Sequence, residues 1–330
     1  MSWYNEQGNK EDFVFSTRAR IARNIKGFRF PCAMSEDEAS RVLSAVTDAM
    51  QPIINDYTVY NMGKISNEEA GRLTECRYIS PDFANGSAGR AAIVSKDGSV
   101  SVMVNEEDHI RIQCFCAGFN PKEVLETAGR IEKLLSEKID FAFSERYGFL
   151  TSCPSNCGTA LRLSAMMHLP AVSISGAQSQ LLRESARLGM TVRGVYGEGS
   201  EAPGNIYQIS NQVTLGVSEN DIYEKFCRVI DSLISSEDEL RKKIAAEASP
   251  ELKDKIMRCC GILKSAYMIS GSEFLRLQSM ARLGNYIGIT NTDSQKLKKL
   301  WIETSPSLLH EPNPRRRDIK RAEIIKNTLL

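Results

Sequence analysis

At 330 residues the chain is long enough to bury a substantial core, and its length fits two domains or one large one. Its 42 Lys and Arg against 41 Asp and Glu leave a formal charge of +1. No overall field therefore draws in nucleic acid or a membrane surface, and an anionic ligand must be met by local clustering.

Nine cysteines with no Cys-x-x-Cys pair point to reduced thiols and a cytoplasmic chain. There is no export stretch near the start and no apolar run of the roughly 18 residues that a membrane helix needs. Residues 13–25 predict a strand followed by three arginines. Arg18 and Arg20, two apart, share one face of an extended segment; they either present two guanidinium forks to one anion or form the basic rim of an edge strand. Ser35-Glu-Asp-Glu38 is a capping box, and Ala39, Val42, Leu43 and Val46 recur at helical spacing, which predicts a helix over 36–50.

Residues 91–105 predict a hairpin turning at Asp97-Gly98. It leads into 104–116, where Glu107, His109, Arg111 and Gln113 occupy every second position with Ile110, Ile112 and Cys114 between them. As a strand, this stretch stands an acid, an imidazole and a guanidinium in a row, either as a reaction surface or as a solvated polar face. Asn120-Pro121 opens a helix of about 17 residues with an apolar stripe from Val124 to Leu135.

In 147–170 a Cys153-Pro-Ser-Asn-x-Gly-Thr159 loop is expected to run into a helix carrying Leu161, Leu163, Met166 and Met167. Amides at such a junction hold anions, Arg162 in the first turn adds charge, and Cys153 is either an activated thiol or an inert one. His168, between apolar neighbours, reads as a packed or capping residue. Over 190–217 two strand-like ends flank a glycine-containing loop with Glu198 and Glu201, a mobile flap or a plain hairpin loop. Neither loop has P-loop spacing, and no Gly-x-Gly-x-x-Gly follows a strand. Beyond Ser218 helices are expected: 218–235, a restart at Ser236, 250–268, 272–283, 293–303, and a basic tail with Ile319, Ala322 and Ile325 inward and its cations outward. The domains expected are 1–225, catalytic, and 226–330, helical.

If Arg18, Arg20, Arg111, Arg162 and Arg193 converge, they surround a polyphosphate, and the chemistry is phosphoryl transfer without a P-loop, with Mg²⁺ assisting. Glu107 and Glu198 are then free to orient a guanidinium acceptor and take its proton.

Four stretches carry a resemblance in the same order over about 200 residues: Ser16-x-Arg18-x-Arg20, Asn105-Glu-Glu-Asp-His-x-Arg111, Cys153 to Arg162, and Arg193-Gly to Ile209-Ser-Asn211. Together they resemble the guanidino (phosphagen) kinases. The resemblance implies an α+β catalytic domain with a curved, largely antiparallel sheet flanked by helices. It implies Glu107, Glu198 and Cys153 as catalytic residues. ATP would be met by Ser16, Thr17, Arg18, Ala19, Arg20, Arg77, Arg111, Arg162, Leu163, Ser164, Ala165, Met166, Arg193, Gly194, Val195, Tyr196, Gly197 and Glu198, with Mg²⁺ held mainly by the nucleotide phosphates and no protein metal site.

Only 15 residues precede Ser16, where small-molecule kinases of the family carry a helical domain, and helices follow the catalytic part instead. This arrangement is similar to bacterial protein-arginine kinases of the McsB type, which implies phosphorylation of arginines within proteins; kinases for free arginine or another small guanidine, or a non-catalytic phosphoarginine-binding adaptor, are the alternatives. Arg317-Asp318-x-x-Arg321-Ala matches the family's phosphoarginine-binding allosteric pocket. Relatives imply a homodimer, an activator protein, a stress-response repressor and a Clp-type protease. Arg77 stands where relatives often have a nucleotide-stacking histidine, and Cys157 and Ala160 replace the usual Leu and Gly. The flat Arg77 guanidinium can still stack on adenine, which implies altered nucleotide affinity more than lost activity.

Overall fold

The computed structural model describes residues 3–194 and 202–330. Strands β1 (Val14–Arg23), β2 (Tyr57–Asn61), β3 (Ala91–Ser95), β4 (Val100–Val104), β5 (Ile110–Ala117), β8 (Leu161–His168), β9 (Met190–Gly194) and β10 (Ile206–Asn211) hydrogen-bond in the order β2-β3-β4-β5-β1-β8-β10-β9, and the short pair β6 (Phe143–Ser144) and β7 (Gly148–Phe149) stands apart. Pairs β2 to β5 are antiparallel, with Met103 opposite Arg111 and Val102 opposite Ile112. The fold is α+β, a large antiparallel sheet flanked by helices with a helical C-terminal region.

The chain groups into two interleaved units: one holds residues 1–6, 17–164 and 210–227, the other 7–16, 165–209 and 228–330. In the first, α1 (Glu36–Met50) starts at the capping box read from the sequence, Ser35 and Glu38 bonding each other's backbone amides. It is followed by α2 (Asn67–Glu75), α3 (Pro81–Ala84) and α4 (Pro121–Ser136), which buries Val124, Ala128, Ile131 and Leu135 as its stripe predicts. Arg23, wholly buried at the end of β1, pairs with Glu132 of α4 at 2.6 Å, donates to Thr159 O and lies 3.5 Å over the Phe149 ring.

Two expectations about strands are corrected. Residues 161–168 form a strand, not a helix: their apolar run is that of a central strand covered on both faces. Arg162 therefore sits on a strand, and the loop-to-helix anion site does not form. The central strand also starts only at Ile110. Asn105 takes a left-handed φ of 62° and its N–H bonds His109 O, closing a turn that holds Glu107 outside the strand row. His109 is locked as structure, its Nδ1 accepting from Ile25 N–H and its Nε2 lying 2.9 Å from Arg29 O.

The second unit contains α5 (Pro170–Ile174), α6 (Gln178–Arg187), α7 (Glu219–Ala246, entering this unit at Arg228), α8 (Pro250–Ser265), α9 (Gly271–Tyr286), α10 (Ser294–Glu303) and α11 (Pro314–Leu329). Helix α7 runs through Ser236 without the expected restart, because the Ser236 hydroxyl bonds back to Ser232 O rather than capping. Buried Glu237 pairs with Arg241 and accepts the N–H groups of Ala171 and Val172 at the start of α5. His168 is packed, as read: Arg241 N–H approaches its Nδ1, and its Nε2 is 2.9 Å from Ser279 Oγ. The tail helix buries Ala322 and Ile325, but not all its cations face outward. Arg321 is only 2 % exposed, bonding Thr304 O, Ile269 O and the Asp318 carboxylate.

Candidate active site

The alternation of β1 decides what its arginines do. β1 lies between β5 and β8, so it is not an edge strand, and Ser16, Arg18 and Arg20 share its more open face. Thr17 and Ala19 face the other way and are sealed; Thr17 Oγ1 donates to Gly118 O at 2.6 Å and accepts from Asn120 N–H. Their side chains therefore pack within the sheet.

Within the first unit five cations crowd together. Arg18 donates to Ser164 Oγ at 3.3 Å on β8 and to Gln113 Oε1 at 3.4 Å on β5. Arg162 donates through Nε and Nη2 to Ser210 Oγ on β10. Burial, and then the neighbouring Arg20, Arg77, Arg162 and Arg111 charges, pull Arg18 down to about 9. Burial with Arg111 and Arg162 does the same to Arg20, also to about 9, partly opposed by Glu106 and Glu107. Both stay charged at neutral pH, so the cluster is a fixed positive surface with excess charge, which an anion relieves.

Arg77 belongs to the same crowd. It follows α2 with φ of 65°, a left-handed position normally given to Gly, and Tyr78 N–H closes the helix end on Leu73 O. Of the other residues read as nucleotide contacts, Leu163, Ala165 and Met166 are buried on β8, Met166 packing with Phe15, Ile206 and Leu275. Ser164, which shares a strand face with Arg162, is the residue of that stretch that bonds a site arginine.

Beside the cations stands a pair of acids. Arg111 is held by Glu107 at 2.6 Å and by Glu106. The two differ in access: the Glu107 side chain is 42 % exposed, Glu106 only 11 %, the latter also accepting from Ser80 Oγ and Glu107 N–H. Glu106 thus fixes Arg111 while Glu107 remains open to solvent. Sequence reasoning passed over Glu106, whose only signal is that it doubles the acid beside it.

Cys153 lies half-buried on a loop tied down by Thr151 Oγ1 to Cys153 O at 2.8 Å, with its Sγ 2.9 Å from Ser155 Oγ. Ser152 N–H donates to Asp108, next to Glu107, at 2.7 Å, so thiol loop and acid turn are joined. Among the described residues no group of three or more His, Cys, Asp or Glu side chains is placed to hold a metal ion. No helix among them is long and apolar enough to cross a membrane. Arg193 and Gly194 end β9 in the second unit. Glu198, with Val195, Tyr196 and Gly197, lies outside the described residues.

Comparisons with known proteins identify the chain's relatives. Residues 39–240 match the model of the ATP:guanido phosphotransferase C-terminal catalytic domain, and residues 249–330 that of the protein-arginine kinase McsB C-terminal domain. The protein-arginine kinase of Caldanaerobacter subterraneus subsp. tengcongensis is 40 % identical over 328 residues, covering 97 % of either chain. That of Bacillus subtilis is 40 % identical over 338 residues, 99 % of this chain and 93 % of its own. Among solved structures, lombricine kinase matches with a TM-score of 0.65 at 26 % identity, over 72 % of this chain and 69 % of its own. The duplicated taurocyamine kinase from Schistosoma mansoni, with bound transition-state analogue components, matches with a TM-score of 0.64 at 27 % identity over 72 % of this chain and 35 % of its own.

Proposed function

Because the chain belongs to the ATP:guanido phosphotransferase family, among its protein-arginine kinases, we propose that it transfers the γ-phosphoryl group of ATP to arginine side chains of protein substrates. The observation that carries the reading is the crowding of Arg18, Arg20, Arg77, Arg111 and Arg162 in one unit that also holds Glu107 and the Cys153 loop.

In this reading Arg18, Arg20, Arg111 and Arg162 hold phosphate oxygens, with Arg193 and Gly194 contributing from β9 and Arg77 stacking on the base. Mg²⁺ arrives on the nucleotide phosphates and supplies further charge compensation there. Glu107 orients the substrate guanidinium and accepts its N–H proton as the N–P bond forms and the γ-P–O bond to ADP breaks. Cys153 faces the same cation, and Glu198 supplies the second carboxylate. Arg317 and Asp318, with Arg321 behind them, form an allosteric site for phosphoarginine. The setting is a cytoplasmic homodimer acting in stress response, with an activator protein, a repressor substrate and a Clp-type protease as partners.

The likeness to lombricine and taurocyamine kinases favours one rival, a kinase for a small guanidine. Incubation with Mg-ATP and either free arginine or unfolded casein, followed by mass spectrometry under conditions that preserve the acid-labile N–P bond, separates the two. Phosphoarginine in casein with little turnover of free arginine is the expected result; the reverse overturns the proposal. Glu107→Ala is expected to lower transfer by roughly 10²- to 10⁴-fold without unfolding the chain.

A further inference from the structure

Asp108 has no part in the reaction just described, yet it is wholly buried between the two elements that carry the reactive groups. One carboxylate oxygen, Oδ1, accepts from Asn24 Nδ2 and from Ser152 N–H, each at 2.7 Å. The other, Oδ2, is buried with no hydrogen-bond partner in the structure. Asn24, at the end of the paired-arginine strand, completes the clasp: its Oδ1 accepts from His109 N–H at 2.9 Å and its Nδ2 also donates to Leu150 O. The turn bearing Glu107, the exit of β1 and the loop bearing Cys153 are thus closed on one carboxylate.

A buried carboxylate with an idle oxygen is a costly way to close a turn, since removing a charge from water is unfavourable unless its bonds compensate. What Asp108 accomplishes is to join Glu107, one residue before it, to the amide one residue before Cys153, so that acid and thiol cannot drift apart.

We propose that Asp108, clasped by Asn24, is a positioning residue that holds Glu107 and Cys153 in register at the guanidinium end of the site. The inference rests on the phosphotransfer reading above. It requires the clasp to act on turnover and leave nucleotide binding alone, because the bonds of Asp108 reach the acid turn, the β1 exit and the thiol loop but none of the clustered arginines.

The test compares Asp108→Ala, Asp108→Asn and Asn24→Ala with wild type and Glu107→Ala, using kcat, KM for Mg-ATP and peptide-mapped iodoacetamide alkylation of Cys153 against exposed Cys32. Asp108→Ala and Asn24→Ala should each lower kcat at least 30-fold with KM for Mg-ATP within threefold. They should change Cys153 alkylation at least fivefold while Cys32 is unchanged. Asp108→Asn, which keeps the Oδ1 acceptor, should recover kcat to within tenfold of wild type. Should Asp108→Ala fail to fold, Asn24→Ala carries the same requirement with the carboxylate intact. The proposal is overturned by full turnover in the Ala variants, by a parallel rise in KM for Mg-ATP, by equal loosening of both cysteines, or by an Asn variant as inactive as Ala. An active Glu107→Ala would instead overturn the phosphotransfer reading, whereas an inactive Glu107→Ala beside a fully active Asp108→Ala overturns the clasp alone.

Discussion

Arg77→Gly should stabilise the chain and weaken it as a nucleotide binder, two effects of opposite sign at one residue. Arg77 sits at φ of 65° just past α2, where the left-handed backbone crowds Cβ against the preceding turn. That conformation costs a non-glycine residue about 1–2 kcal/mol. Glycine recovers this strain but gives back about 0.4–1 kcal/mol through the greater freedom of its unfolded chain, leaving a net gain of roughly 0.5 kcal/mol. Removing one of the cations that press on Arg18 adds to the gain. Against this, a lost cation–π stack on the base is worth about 0.5–2 kcal/mol, or about a 2- to 30-fold rise in Kd. Urea unfolding read alongside titration with a fluorescent ATP analogue measures both. An unchanged Kd with increased stability would refute the nucleotide role and leave Arg77 as an awkward helix end. A large loss of stability would refute the strain argument instead.

Three further outcomes are expected. Ala160 is left-handed as well, with φ of 49°, where the family resemblance implies Gly; Ala160→Gly should stabilise by about 0.5–1 kcal/mol in urea unfolding, and destabilisation would show that the Ala methyl packs too well to lose. Arg321→Ala strands the Asp318 carboxylate and two buried carbonyls, so it should cost the helical unit about 3–5 kcal/mol, whereas half-buried Arg317→Ala should stay within about 1 kcal/mol and is the cleaner probe of phosphoarginine binding by calorimetry. Burial, then the Arg241 and Arg282 charges, hold His168 well below the usual imidazole range, so the unfolded state binds its proton first. Stability from His168 is therefore present above about pH 6.5 and lost as pH falls, by about 1.4 kcal/mol per unit; His168→Gln should flatten the acid limb by one proton, and an unchanged slope would contradict the assignment.

What the sequence made legible follows from how local each signal is. The period-two placement of Arg18 and Arg20 survives folding because a strand's alternation is a property of three residues, and Ser35 to Glu38 is equally self-contained. The run from Leu161 to His168 defeats such reading because a strand buried on both faces and a buried helix are both continuously apolar; sheet order, a long-range property, decides between them. Glu107 was picked out by its alternation with Arg111 along a strand, yet it reaches Arg111 for a different reason. The left-handed Asn105 turn breaks the alternation, and the four-residue spacing bridges back over it. The same turn brings in Glu106, so the charged unit here is an acid pair around one arginine. In Ser236 the failure is instructive in the other direction, since a serine followed by acids looks like a helix start, but a hydroxyl with a carbonyl four residues behind it bonds there and the helix continues. What that continuity achieves is Glu237, which the uninterrupted helix carries to the first amides of α5. A capping pattern therefore identifies a helix start only where nothing upstream is already helical, a condition set by packing and not by the four residues themselves.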